Sequence, residues 1–138
     1  MRMMLVLCAL LCPLTAECIA AETKPAPLPF SPARKAGPTL YVSGQVARTP
    51  DGKKVLENAE AETRQVMKNI ERVLKANGYG WEHVVSANVY LRNISDYAAM
   101  NKAYASFFKG EFPARATVGG QDLVADYNVE ISVIAYKE

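Results

Sequence analysis

The stretch Ala59-Glu60-Ala61-Glu62-Thr63-Arg64-Gln65-Val66-Met67-Lys68-Asn69-Ile70-Glu71-Arg72-Val73-Leu74-Lys75-Ala76-Asn77 decides how the chain folds. Within it Val66, Met67, Ile70, Val73 and Leu74 recur at intervals that bring them onto one side of a helix. Gly78 follows where a left-handed C-cap ends such a helix. At 1.5 Å per residue the stretch makes about five turns, amphipathic throughout. One apolar face requires a second layer to cover it, and the flanking residues supply that layer.

On the N-terminal side, Leu40-Tyr41-Val42-Ser43-Gly44-Gln45-Val46 alternates with period two and is expected to be a strand, followed by the turn Thr49-Pro50-Asp51-Gly52. That alternation puts Tyr41, Ser43 and Gln45 on one face. On the C-terminal side, residues 83–91 are rich in β-branched and aromatic side chains and form a second strand. Ser95 can then cap a second helix, with Tyr97, Met100, Tyr104, Phe107 and Phe108 as a core-facing stripe. Residues 116–118 and 127–136 supply the last strands, joined by a loop containing Gly119-Gly120 and Asp122. Strand, helix, strand, helix, strand fits an α+β domain with two helices packed on one face of a mixed β-sheet, without a repeat or a second domain.

Half of the 138 residues are apolar, enough for one domain to bury a core without disulfide or metal staples. The first 20 residues have the pattern of a secretory signal: Arg2, an apolar run from Met3, and Cys18-Ile19-Ala20 as a small-x-small cleavage site. Pro13 and Glu17 interrupt the apolar run short of the ~20 residues that a membrane span needs. Residues 21–29, with prolines at 25, 27 and 29, form an extended linker, and the domain occupies residues 30–138. The mature chain is therefore expected to be exported, periplasmic or secreted, and free of the membrane once the signal is cleaved.

Cys8, Cys12 and Cys18 all lie in the leader, and Leu7, Leu11 and Glu17 before them are wrong for lipid attachment. No thiol is then left for a disulfide, a nucleophile or a metal, and with His83 as the single histidine no zinc site of the usual kind can be built. His83 itself is expected to be a partly exposed residue at a strand start. Ser43 has no nucleophile-elbow context, and Gly119-Gly120 lacks the lysine of a phosphate loop. Loss of Arg2 and Glu17 leaves 15 basic and 13 acidic side chains, still +2, which gives no electrostatic footprint for nucleic acid. No cofactor is implied.

Two charged residues stand out. Arg115, in Phe112-Pro113-Ala114-Arg115, offers a planar fork of donors that suits a carboxylate. Glu130, inside the apolar run Val129-Glu130-Ile131-Ser132-Val133-Ile134-Ala135, can hold or activate a water. Alternation places Glu130 on one strand face with Ser132 and Ile134, and Val129, Ile131 and Val133 on the other. Two readings remain for the pair: a site for a small carboxylate, or a structural ion pair at a sheet edge.

Several segments, in order, resemble the RidA/YjgF family of enamine and imine deaminases: Pro29-Phe30-Ser31-Pro32-Ala33, residues 40–45, Glu60-Ala61-Glu62-Thr63-Arg64-Gln65, Asn88-Val89-Tyr90-Leu91, Met100-Asn101-Lys102-Ala103-Tyr104, Phe112-Pro113-Ala114-Arg115 and Val129-Glu130-Ile131. The resemblance implies a chorismate-mutase-like fold, a homotrimer with ligand clefts between subunits, and cofactor-independent hydrolysis of 2-enamines and 2-imines, such as 2-iminobutanoate and 2-iminopropanoate, to 2-oxo acids and ammonia. It makes Arg115 the substrate-carboxylate residue and Glu130 the water-positioning one, with Ser43, Gly44 and Asn101 lining the pocket. The chain departs from the family pattern at Phe30, where some members have tyrosine, at Thr117, often cysteine, and at Ser132, commonly a second glutamate. Phe30 and Thr117 are therefore candidate substrate contacts that bear on substrate preference. The competing expectation is a trimer of the same family that binds small carboxylates, or acts as a chaperone, without catalysis.

Overall fold

The structure, a computed structural model, describes residues 28–138. The leader expected at 1–20, with its three cysteines, and most of the linker at 21–29 lie outside the described residues.

Strands β1 (Ala33–Ala36), β2 (Thr39–Val46), β3 (Val84–Leu91), β4 (Ala114–Val118) and β5 (Val129–Tyr136) form one mixed sheet in the order β1-β2-β5-β3-β4. All neighbours are antiparallel except β3 and β4, whose parallel crossover runs through a helix. Helices α1 (Ala59–Ala76) and α2 (Tyr97–Ala105) pack together on one face. The core between the layers is sealed by Val66, Met67, Ile70 and Leu74 of α1, Met100 of α2, and Leu40, Val89, Val129, Ile131 and Ala135 of the sheet, none measurably exposed except Val89 at 1%. Among the described residues no helix is long and apolar enough to cross a membrane.

Polar anchors register α1 on the sheet. The Asn58 side chain caps it by accepting from the Ala61 N–H at 2.9 Å, and Gly78 (φ +81°) follows its C-terminus as expected. Asn69, almost fully buried, donates from Nδ2 to the carbonyls of Val46 and Arg48 at 2.9 and 2.8 Å. Glu62, fully buried, accepts from the Asn128 backbone N–H at 2.7 Å and from its side-chain amide at 2.5 Å. These contacts tie the helix to the end of β2 and the start of β5, the strands that carry Gly44 and Glu130.

Four sequence expectations need correction. Strand β1 was not anticipated: Arg34, Lys35 and Ala36 are exposed, and a charged edge strand lacks the alternation of a half-buried one. It is joined to β2 by the two-residue turn Gly37-Pro38, with Gly37 at φ +56°. The face expected to hold Tyr41, Ser43 and Gln45 is broken by a bulge, because three steps of β2 from Val42 to Gln45 oppose two steps of β5 from Val133 to Ile131. Helix α2 is not capped by Ser95, which sits inside a one-turn 3-10 segment, Ile94–Asp96. Its stripe is also divided: Met100 and Tyr104 are buried, Tyr97 is 44% exposed, and Phe107 and Phe108 lie beyond the helix end.

Candidate functional site

Strand β4 begins at Ala114, two residues earlier than expected, and this puts Arg115 in the ladder opposite Ala87. Ala87 is in register with Val133, both buried beneath the helices, so Arg115 leaves the sheet on the helix side. There its Nη2 donates to Asn101 Oδ1 at 2.7 Å and to the Tyr97 hydroxyl at 3.3 Å, while Nη1 lies 3.9 Å from Met100 Sδ. The guanidinium carbon stands 4.8 Å from the Tyr104 ring centre and 5.7 Å from that of Tyr97, within cation–π reach of both. Among the described residues no carboxylate lies within ion-pair distance of it.

This environment acts on its neighbours. The Asn101 amide and the Arg115 charge hold the Tyr97 phenol below its ordinary value of 10.0. Burial pushes the Tyr104 phenol up to about 12, against the pull of Arg115. Among the described residues the buried Tyr104 hydroxyl has no partner, nor has the hydroxyl of Thr117, two residues along the same face of β4 from Arg115. Arg115, Asn101, Tyr104, Ala105, Phe112 and Pro113 enclose an open cleft of about 360 Å³.

Glu130 sits elsewhere. It alternates with the fully buried Val129 and Ile131, so with Ser132 and Ile134 it faces away from the helices, as the strand pattern predicts. Partial burial raises its pKa above the ordinary 4.5. Its carboxylate lies against the bulge in β2: a Cβ on Gly44 would overlap a carboxylate oxygen and stand 2.9 Å from Cδ and 3.2 Å from Cγ. Gln45 pins that bulge by donating to the Ser43 and Gly44 carbonyls, and the Ser43 hydroxyl donates to the Pro32 carbonyl at 3.0 Å.

The structure therefore gathers the predicted residues into two groups on opposite faces of the sheet. Arg115, Asn101 and Thr117 are on the helix side, and Ser43, Gly44 and Glu130 are around the bulge. The ion pair between Arg115 and Glu130, the bland reading of the sequence, is not formed within the chain. Phe30 is 60% exposed and does not line the cleft. Sequence reasoning missed Tyr97, although its spacing to Asn101 and Tyr104 on one helix face was a usable signal.

A larger hollow of about 770 Å³ at the C-terminal end of α1, walled by Trp81, Phe107 and His83, contains neither Arg115 nor Glu130. His83 there accepts from the Gly80 N–H through Nδ1, and its side chain is 22% exposed. Among the described residues no three His, Cys, Asp or Glu side chains gather as a metal site.

The family described as endoribonuclease L-PSP matches residues 21–137. The chain belongs to this family, which includes the RidA, YjgF and RutC proteins. A RutC family protein of Pyrococcus horikoshii is 41% identical over 124 residues, spanning 88% of this chain and 98% of its own. Reactive Intermediate Deaminase A of the Arabidopsis thaliana chloroplast is 36% identical over 121 residues, 86% of this chain and 65% of the plant protein. Among solved structures, YyfA of the Rid protein family from Yersinia pestis superposes with a TM-score of 0.78 at 40% identity, over 81% of this chain and 90% of that one. The α+β, chorismate-mutase-like architecture is shared with the family's solved members.

Proposed function

We propose that this RidA-family chain is a cofactor-independent deaminase that hydrolyses reactive 2-enamines and 2-imines, 2-iminobutanoate and 2-iminopropanoate among them, to 2-oxo acids and ammonia. The observation that carries the reading is the Arg115 guanidinium, oriented by Asn101 and two tyrosine rings at the mouth of a cleft, with no carboxylate beside it among the described residues. Such a group receives an acid by two charge-assisted hydrogen bonds and fixes the direction of its C=N carbon.

Water then adds to that carbon while Glu130 removes a proton from it. The protonated Glu130 returns that proton to nitrogen, giving the tetrahedral carbinolamine. Glu130 then carries the proton of the adduct's hydroxyl to the same nitrogen as the C–N bond breaks, so that ammonia leaves and the C=O forms. Imines of this kind already hydrolyse in water, so positioned acid–base help of about 10²–10⁴-fold suffices. A carboxyl whose burial raises its pKa is well suited to give back the proton it takes.

Because Arg115 and Glu130 leave opposite faces of the sheet, one substrate can meet both only if a second copy supplies one of them. The face bearing Glu130 also exposes Tyr41, Val118 and Tyr136, between 43% and 49% each, as a surface for such a copy to cover. This supports a homotrimer with intersubunit sites. The leader pattern supports export, to the periplasm or beyond.

The test is ammonia and 2-oxo acid release from imines generated in place by an amino-acid oxidase. Arg115→Ala should return the rate to the uncatalysed one, and Arg115→Lys should fail as well, because one ammonium cannot reproduce the fork. Undiminished hydrolysis by Arg115→Ala would refute the reading. Saturable 2-oxo acid binding without turnover by the native chain would make it a binding module instead.

A further inference from the structure

The cleft beside Arg115 has more room than a short acid uses, and its walls differ sharply in character. One end is polar, formed by Arg115 and Asn101, and the rest is Tyr104, Ala105, Phe112 and Pro113. At about 360 Å³ it falls within the range of clefts that bury drug-sized ligands. A side chain of one or two carbons leaves most of that apolar end against water. Among the described residues Arg115 is the single charged one that this chain brings to the lining, and the ligand carboxylate takes it. A ligand side chain carrying its own charge would therefore be desolvated against Phe112 without a partner from this chain.

Phe112 is the decisive wall. It is 61% exposed, yet its ring is backed by a packed series of aromatic contacts: edge-on to Phe108 at 5.7 Å, Phe108 on Tyr104 at 4.9 Å, and Phe108 on Trp81 at 5.1 Å. A large apolar ring thus held beside a guanidinium offers stacking surface at small cost in ordering, and a ligand that covers it removes both surfaces from water.

We infer that the site takes 2-imino acids with a bulky apolar side chain, aromatic or branched aliphatic, in preference to the two short ones, with that side chain lying against Phe112 while Arg115 holds the carboxylate. The inference rests on the proposed role of Arg115 as carboxylate clamp.

Imines are generated by L-amino-acid oxidase from L-phenylalanine, L-leucine and L-2-aminobutyrate, and the full chain's kcat/KM is measured on each by competition with semicarbazide. The phenylalanine and leucine imines should exceed the 2-aminobutyrate imine by about tenfold or more, the discrimination that added methylenes gain in an apolar pocket. Phe112→Ala should bring that ratio towards one, and Phe112→Leu should restore it for the leucine imine more than for the phenylalanine imine. A native ratio at or below one, or a ratio untouched by Phe112→Ala, overturns the inference.

The exposure of Phe112 keeps both variants foldable, which melting curves verify. Titration with phenylpyruvate and 2-oxobutanoate separates the two claims. Tighter phenylpyruvate binding without any turnover would refute the deaminase and uphold the pocket preference. Equal binding of both would refute the preference alone.

Discussion

Gly44→Ala tests the geometry around Glu130 with the least disturbance. Gly44 lies in ordinary backbone space, since its φ is not among the positive ones, so alanine is tolerated locally and even restricts the unfolded chain slightly. The new methyl would overlap a Glu130 carboxylate oxygen and stand 2.9 Å from Cδ. Carbon atoms rest at roughly 3.5–4.0 Å, so the carboxyl carbon must retreat by at least half an ångström and its oxygens by more. Because the obstacle is the far end of a flexible side chain, it can rotate away, and the melting temperature should shift by only a few degrees.

A displacement near 1 Å at a reacting group costs on the order of 10²-fold, so kcat/KM for imine hydrolysis should fall by about 10- to 100-fold. The loss should fall on kcat, because Arg115 is on the other face of the sheet and still grips the acid. The assay is 2-oxo acid release, with a melting curve on the same sample. Native kcat/KM in a folded Gly44→Ala variant would refute the placement of Glu130 at the chemistry, and a loss confined to KM would assign the bulge to binding instead.

Glu130 should act as a base only when ionised, so with its pKa raised by burial the rate should climb with pH through a value above 4.5. Glu130→Gln should lower kcat and erase that limb; a pH profile unchanged in the variant would exclude the role. For stability the sign is opposite: a raised folded pKa favours the fold below the unfolded value, and that contribution is lost as pH rises through the folded one. The same variant should therefore gain stability relative to the native chain at pH 7 more than at pH 4, as paired denaturant titrations would show. Asn69→Ala leaves the Val46 and Arg48 carbonyls without their buried donor and should cost about 1–3 kcal/mol, read as a lower denaturant midpoint. Tyr97→Phe removes one of the two acceptors on Arg115 Nη2, and a modest rise in KM at constant kcat is expected; an unchanged KM would leave Asn101 as sufficient support.

Strong periodicity made most of the fold legible. Helix α1, its Gly78 terminus, β2, β3, β5 and the inward set Val129, Ile131 and Val133 follow directly from the spacing of apolar residues. What the sequence concealed was set by tertiary context. β1 is an edge whose charged residues face solvent, so it carries no alternation. The bulge at Ser43-Gly44 is invisible to a period-two pattern, because one extra residue changes the register without changing the composition. For the candidate site, Arg115 and Glu130 stand out as candidates from their residue types and flanking sequence, but the faces they occupy depend on ladder register across three strands. Aromatic residues at helical spacing are usually buried, so the pattern places Tyr97 in the core, and its contact with Arg115 arises only when α2 lies over β4.

The placement of the two charged groups on opposite sides of one sheet has an outcome at the level of populations of molecules. Chains lacking Arg115 and chains lacking Glu130 would each be inert alone, yet unfolding and refolding them together should recover activity, since randomly mixed rings would pair an intact residue of each kind at roughly one locus in four. Dilution below the dissociation constant of the assembly should silence the native protein without unfolding it. Two dead variants that stay dead after co-refolding would show that each molecule carries its chemistry unaided.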